Sequence, residues 1–311
     1  MTKYLRSRLG KFDPAELPSA VGMLANTHAG ASMNEATALT LSAVYACVYK
    51  VASTLASLDL RILQQINGTT QVLDSHPVRT LITDPTNTGT AFSFWETITA
   101  SAALYGNGYA LILRDPDGSP TRMQYLHTAD VLEKHLDGVQ VYDVRGVGIF
   151  ESGDILHIRN LLGKSPIQLH RENLGLTSAA QSYGAQYFEN GGQMTGVLAS
   201  DQILNSEQVA QMQKSWNASS TSAGVKLLPF GFKYTPITLS PSDMTFLETR
   251  QFQAEEICRI FNVPRSLIQL GTETVNNVEQ QHIQFRTNLV PWMERIEQEV
   301  SRKLIGAPEC A

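Results

Sequence analysis

The sequence has no marked excess of charge of either sign. Twenty-four Lys and Arg stand against 29 Asp and Glu, a formal net charge of −5 over 311 residues. A surface of that average sign offers no overall case for a nucleic-acid clamp, while a protein that holds a nucleic acid loosely, or guides it without gripping, remains allowed. Cysteine is scarce too. Cys47, Cys258 and Cys310 share no short spacing, which argues against a zinc module or a disulfide framework and reads as buried or incidental thiols. Long hydrophobic runs are missing. The most apolar stretch, residues 39–60, is interrupted by Lys50 and Asp59, so no membrane span is expected. The basic start, with Lys3, Arg6, Arg8 and Lys11, is followed by no signal-peptide core. Apolar residues at 42% with only 17% charged fit an ordered globular chain with room for buried subunit contacts, built as one large or two modest domains.

Familiar catalytic patterns are also lacking. The chain has no HExxH, GxSxG or CxxC. Gly163-Lys164-Ser165 ends like a phosphate loop, but Ile158 stands where the first glycine belongs and Pro166 follows, so a turn from strand to helix is expected. Asp115 and Asp117 resemble the start of a calcium loop, yet the glycine comes two positions early, which suits a hairpin turn. His157, alternating with Ile155, and His282, on an apolar stripe, read as partly buried structural residues. A hydrolase built on His157 and Asp154 is disfavoured because residues three apart on a strand face opposite sides.

What is present is a set of periodicities. Leu41, Val44, Val48, Val51, Leu55 and Leu58 predict a long core-facing helix, followed by a hairpin at Asn67-Gly68. A second helix is expected over 94–104 with Ser93 as its cap, stopped by Gly106-Asn107-Gly108. Residues 109–158 then carry strand and turn signals, including Asp137-Gly138, with no room for crossover helices. That predicts an antiparallel meander rather than a Rossmann or P-loop core.

From Ser165-Pro166 the period becomes helical, with Leu169, Leu176, Ala180, Tyr183 and Tyr187 on one face up to Asn190, an element about 35 Å long. A shorter helix is expected over 206–218, then two short strands within 224–238, then a long helix over 242–261 closed by Asn262-Val263-Pro264. The last stripe, Val278, His282, Phe285, Leu289, Trp292, Ile296, Val300 and Leu304, contains Pro291 as a predicted kink or break. Acids and bases alternate along these last helices, compatible with an ordinary solvated face or with a channel wall repeated by symmetry.

In that order, several segments resemble one family. They are the helix close Ala56-Ser57-Leu58, His76-Pro77, Asp84-Pro85, residues 104–110 (LYGNGYA), 154–159 (DILHIR), Ser165-Pro166-Ile167, 188–192 (FENGG), Gly196-Val197-Leu198, 246–250 (FLETR), 257–264 (ICRIFNVP) and Asn277-Val278-Glu279-Gln280. Across residues 40–305 the chain is similar to the portal proteins of tailed bacteriophages, of the lambdoid long-tailed type found in phages and prophages.

That resemblance implies an α+β fold: an antiparallel-sheet wing body, long stem helices and a small α/β clip module. Its parts would be an N-terminal arm over 1–39, a wing over 40–164, a first stem helix over 165–194 and a clip over 195–241. A second stem helix over 242–264, a tunnel loop over 265–276 and a returning wing helix and tail over 277–311 would complete it. It further implies a homo-oligomeric ring, a dodecamer in the virion, that conducts double-stranded DNA during packaging and ejection. The implied partners are the terminase large subunit, head-completion and tail proteins, and capsid and scaffold proteins. The implied location is a capsid vertex, after assembly in the host bacterial cytoplasm.

No catalysis, cofactor, metal or membrane is implied, because ATP hydrolysis belongs to the terminase. Carried onto this chain, the tunnel-loop candidates for facing DNA are Arg265, Gln269, Thr272, Glu273, Thr274, Asn276 and Asn277. Stem-lumen candidates are Glu248, Arg250, Glu255 and Arg259; clip-interface candidates are Trp216, Lys226, Phe230, Phe232 and Tyr234. The rival expectation is another phage or prophage structural adaptor, with no DNA channel.

Overall fold

Asn34 caps the first described helix. Its side chain accepts from the Thr37 N–H while Thr37 returns the bond, a reciprocal cap on the single turn α1 (Glu35–Ala38). The first long stripe forms α2 (Ser42–Ala56), which buries Val44, Cys47, Val48, Val51 and Leu55. Leu58 falls beyond the helix end and is exposed, because the 3.6-residue period no longer applies there. The computed structural model describes residues 27–66, 68–189, 196–199, 205–218, 233–236, 243–268 and 278–305.

The hairpin β1 (Leu63–Ile66) and β2 (Thr69–Val72) is present, with Ile66 opposite Thr69. A helix not expected from sequence, α3 (Pro77–Thr83), follows. Seven residues are too few to show a period, but Pro77 at its first position, where a missing N–H costs nothing, was a usable sign. The next helix, α4 (Ala91–Tyr105), starts earlier than expected. Its cap is Thr90, whose hydroxyl accepts from the Ser93 N–H at 3.1 Å, so Ser93 lies inside the first turn. Gly106, at φ 83, ends it in the left-handed region.

Two three-stranded antiparallel sheets follow. In the first, β3 (Asn107–Arg114) lies between β4 (Pro120–Leu126) and β8 (Ile155–Arg159). In the second, β6 (Val139–Val144) lies between β5 (Val131–Leu136) and β7 (Gly148–Glu151). A two-residue turn with Asp137 at φ 51 and Gly138 at φ 81 joins β5 to β6, matching the right-handed twist of its strands. Strand β3 reads as an unbroken apolar run because both of its faces are covered. Ala110 and Ile112 share a core with Phe94 and Ile98 of α4, while Tyr109 and Leu111 share another with Tyr142 and Val144 of β6.

After a 3₁₀ turn at Leu161–Gly163, Ser165 caps a one-turn helix, α5 (Pro166–Leu169); its buried hydroxyl donates to the Leu104 carbonyl at 2.8 Å. Gly163-Lys164-Ser165 is therefore the strand-to-helix turn expected. The long helix is divided at His170, and α6 (Arg171–Glu189) carries the rest, about 28 Å at 1.5 Å per residue. Its predicted apolar face does not point into a core. Leu169, Leu176 and Tyr183 are 58%, 57% and 48% exposed, and on this stretch Ile167 and Leu174 are buried instead.

Next come β9 (Gly196–Ala199), α7 (Ser206–Ala218), β10 (Lys233–Pro236) and α8 (Asp243–Phe261). Strand β10 pairs antiparallel with β9, not with a strand close by in sequence, so the sheet of this module closes across α7; residues 224–232 lie outside the described residues. The final helix, α9 (Val278–Val300), runs unbroken through Pro291, whose position faces solvent, and ends in a π turn at Ser301–Ile305. Phe285 and Leu289 of α9 join the core of α2, whereas Ile296, Val300 and Leu304 join that of α3, α4 and β3. His282 is exposed, one position off the buried stripe.

The chain divides into two compact units. One comprises residues 1–175 and 254–311; the other, residues 176–253, is inserted between them. Within the first unit Cys47 and Cys258 are buried free thiols hydrogen-bonded to each other, and that bond together with burial pushes Cys47 well above the ordinary thiol range. Cys310 lies outside the described residues.

Candidate functional site

Helix α8 leads into the segment that bears most of the candidate DNA-facing residues, and its end is built by a recognisable backbone device. Asn262 takes φ 54; its N–H bonds the Arg259 carbonyl, and the N–H of Val263 bonds the Cys258 carbonyl at 3.0 Å. This is a Schellman closure with asparagine in the left-handed position, and the apolar residue after it, Val263, packs in the same core as Cys258. Pro264 then prevents any resumption of the helix. Asn262→Gly should leave the urea midpoint within about 0.5 kcal/mol of the parent, whereas Asn262→Val should lower stability by about 1 to 2 kcal/mol, because a β-branched residue resists positive φ.

Charges around this turn are matched locally. Arg265 pairs with Glu255, and Arg259 with Glu256. Asn288 of α9 donates to the Asn262 carbonyl at 3.1 Å and ties the turn to the last helix. A cavity of about 290 Å³ lies among them, lined by Glu255, Arg259, Pro264, Arg265, Gln284 and Asn288. The lining carries one acid, Glu255, and two bases, Arg259 and Arg265; Glu256, the partner of Arg259, stands outside it. The site offers polar groups of both signs.

A second polar constellation joins the two sheets, with Tyr109, Tyr142 and His157 buried. Asn107 donates through Nδ2 to the Gly163 carbonyl at 2.7 Å, so its Oδ1 faces His157 Nε2 at 2.9 Å as an acceptor. That makes Nε2 the protonated nitrogen of His157 and leaves Nδ1 to accept from the Tyr142 hydroxyl at 3.0 Å. Tyr109 donates to Glu133, which also receives Gln140 and Arg159. Burial, followed by the nearby Arg159 and Lys303 charges, lowers the His157 pKa to about 3. The imidazole is neutral, so its 3.7 Å approach to Glu133 is no ion pair. Both ring nitrogens are occupied, as befits a structural histidine. Asp154 pairs with Arg114 instead.

The structure thus brings Glu255, Arg259 and Arg265 together. Arg250 of α8 is exposed. Of Glu248, Trp216 and Tyr234 only the backbone is described, in α8, α7 and β10 respectively. Gln269, Thr272, Glu273, Thr274, Asn276, Asn277, Lys226, Phe230 and Phe232 lie outside the described residues. Sequence reasoning missed the Glu255 to Arg265 pair, whose ten-residue separation matches no helical spacing. It also missed the ring partners of His157, Asn107 and Tyr142, which come from β3 and β6. Among the described residues, no cluster of three or more His, Cys, Asp or Glu could hold a metal ion, and no helix is long and apolar enough to cross a membrane.

Comparison with known proteins gives one consistent result. The family model described as phage portal protein matches residues 42–310. The probable portal protein of Streptomyces phage phiC31 is 30% identical over 93% of this chain and 69% of its own length. The crystal structure of an HK97-family phage portal protein from Corynebacterium diphtheriae superposes with a TM-score of 0.70 at 16% identity, covering 88% of this chain and 91% of that one. A chain in the neck of a native gene transfer agent particle, computed with C12 symmetry, gives 0.60 at 23% identity over 86% of this chain and 79% of that one.

Proposed function

The chain belongs to the phage portal protein family, and we propose that its copies close into a ring around a channel for double-stranded DNA, with residues 195–241 as the clip that meets the packaging motor and later the tail. Its role is that of a portal, the connector between head and tail. The observation that carries the finer reading is the inserted unit. Residues 176–253 interrupt the body, and the chain enters and leaves that unit along two helices of 19 residues each, α6 and α8. This is the arrangement a stem and clip require. The C12 symmetry of the related neck supports a twelve-fold ring. The terminase large subunit, head-completion and tail proteins, capsid and scaffold are the partners this role requires, and the virion vertex is its location after assembly in the host cytoplasm.

A closed ring needs two different complementary surfaces on every copy. The exposed apolar face of α6, with Leu176 and Tyr183, is one candidate, because an unburied apolar stripe on a long helix is costly unless another chain covers it. The mixed charge at Glu255, Glu256, Arg259 and Arg265 would let DNA pass without being held.

Electron microscopy of the purified chain over a range of concentrations should show closed rings with a lumen of about 20 Å or more, wide enough for a B-form duplex. The double variant Leu176→Glu, Tyr183→Glu should cut the ring fraction at least tenfold with unchanged far-UV circular dichroism. Monomers or dimers alone, at every concentration, would favour an adaptor without a channel.

A further inference from the structure

Among the described residues, one buried side-chain polar atom has no hydrogen-bond partner, the hydroxyl of Thr99 in α4. Thr99 is fully buried, and leaving such a hydroxyl unsatisfied costs about 1 to 3 kcal/mol. Thr99 lines a cavity of about 240 Å³ with Leu55, Leu60, Trp95, Met293 and Ile296, and two carboxylates, Asp59 and Glu297, stand on its lining. Asp59 is about half exposed and holds Arg61; Glu297 faces solvent.

An apolar pocket containing one unspent hydroxyl and edged by two acids selects its ligand by chemistry. The fitting occupant has a bulky apolar side chain flanked by cations. The chain itself contains such a segment. Residues 1–12 carry Lys3, Arg6, Arg8 and Lys11 interleaved with Tyr4, Leu5, Leu9 and Phe12, and no acid. We infer that this cavity seats the basic, apolar N-terminal segment of a second copy of the chain, with Leu5, Leu9 or Phe12 entering the pocket and the lysines lying against Asp59 and Glu297. The inference rests on the ring reading above, since a heterologous ring contact needs two unlike and complementary surfaces on each copy, and the segment and the pocket are such a pair.

Zero-length carbodiimide coupling tests it directly, because it joins an amine to a carboxylate only where the two touch. The full chain, mixed from isotopically heavy and light copies, would be coupled and its digest read by mass spectrometry. Lys134 and Asp143, 2.8 Å apart within one copy, supply the internal control. Links from Lys3 or Lys11 to Asp59 or Glu297 between heavy and light peptides are expected. They should drop at least fivefold in Leu5→Ser, Leu9→Ser, which keeps every reacting group and adds none, and in Met293→Trp, which fills the pocket. The first variant changes no residue that lines the cavity, so it remains informative if the second destabilises the protein. A control link without the predicted ones, links confined to a single copy, or links that persist in the Leu5, Leu9 variant would overturn the inference. Scoring rings in the same samples separates the two ideas: rings without the links defeat the arm contact alone, whereas the absence of rings defeats the ring reading.

Discussion

Gly108→Ala is expected to abolish most of the folded protein, with loss of soluble yield and of the cooperative urea transition. A Cβ at residue 108 would lie 2.3 Å from the Ile98 carbonyl oxygen and 3.1 Å from its Cγ1. The obstacle is the backbone of α4 packed on the central strand β3, so no side chain can swing aside. Relief requires the helix and the strand to separate, opening the core that Ile98, Ala110 and Ile112 share. Overpacking of this kind costs about 3 kcal/mol or more, a large share of the 5 to 15 kcal/mol that holds a typical domain together. Gly118→Ala is the control. Its φ of 88 carries a strain of about 1 to 2 kcal/mol, but nothing lies within 4 Å, so it should fold. Equal behaviour of the two variants would refute the close-packing account.

Acid should weaken the unit formed by residues 1–175 and 254–311 through His157. The unfolded chain takes up a proton at this residue near pH 6.5, while the folded protein refuses it until about pH 3. Below pH 6.5 the unfolded state therefore binds more protons than the native state, and stability falls with pH, by up to about 1.4 kcal/mol per unit for this group alone. From pH 7 to 4.5 the loss should be about 2.5 kcal/mol, read as the shift of the urea midpoint multiplied by the slope. His157→Gln should cost about 1 to 3 kcal/mol at pH 7, since glutamine cannot satisfy both Asn107 and Tyr142 in the same geometry, and it should flatten the dependence between pH 6.5 and 4.5. An undiminished slope in that variant would place the acid sensitivity elsewhere, in the carboxylates around Arg159 and Lys303.

The two glycines of the Gly106-Asn107-Gly108 segment illustrate how far local sequence reaches. Both read as turn positions. Gly106 is one, at φ 83, and it also lies where a Cβ would meet the Lys164 backbone at 2.4 Å. Gly108 is a strand residue whose missing side chain serves a close approach, and that reason depends on α4, which no neighbouring residue in sequence reveals. Likewise His157 was legible as structural from its alternation with Ile155, but Asn107, Tyr142 and Glu133 converge on it or its neighbours from other strands.

Sequence by itself determined the features that depend on local periodicity and turn chemistry. These are the helical stripes of α2, α8 and α9, the Asp137-Gly138 turn, the antiparallel character of residues 109–158 and the ordered motifs that marked the family. Tertiary structure decided what depends on surfaces meeting. It sent the apolar face of α6 outward, paired β10 with β9 across an intervening helix, let α9 run through Pro291 because that position faces solvent, and neutralised Glu255 with Arg265 ten residues away. The physical reason is the range of the forces concerned. Backbone hydrogen bonding and φ/ψ preference act over a few residues and leave their mark in spacing, whereas burial and charge pairing act between whichever surfaces the fold brings together.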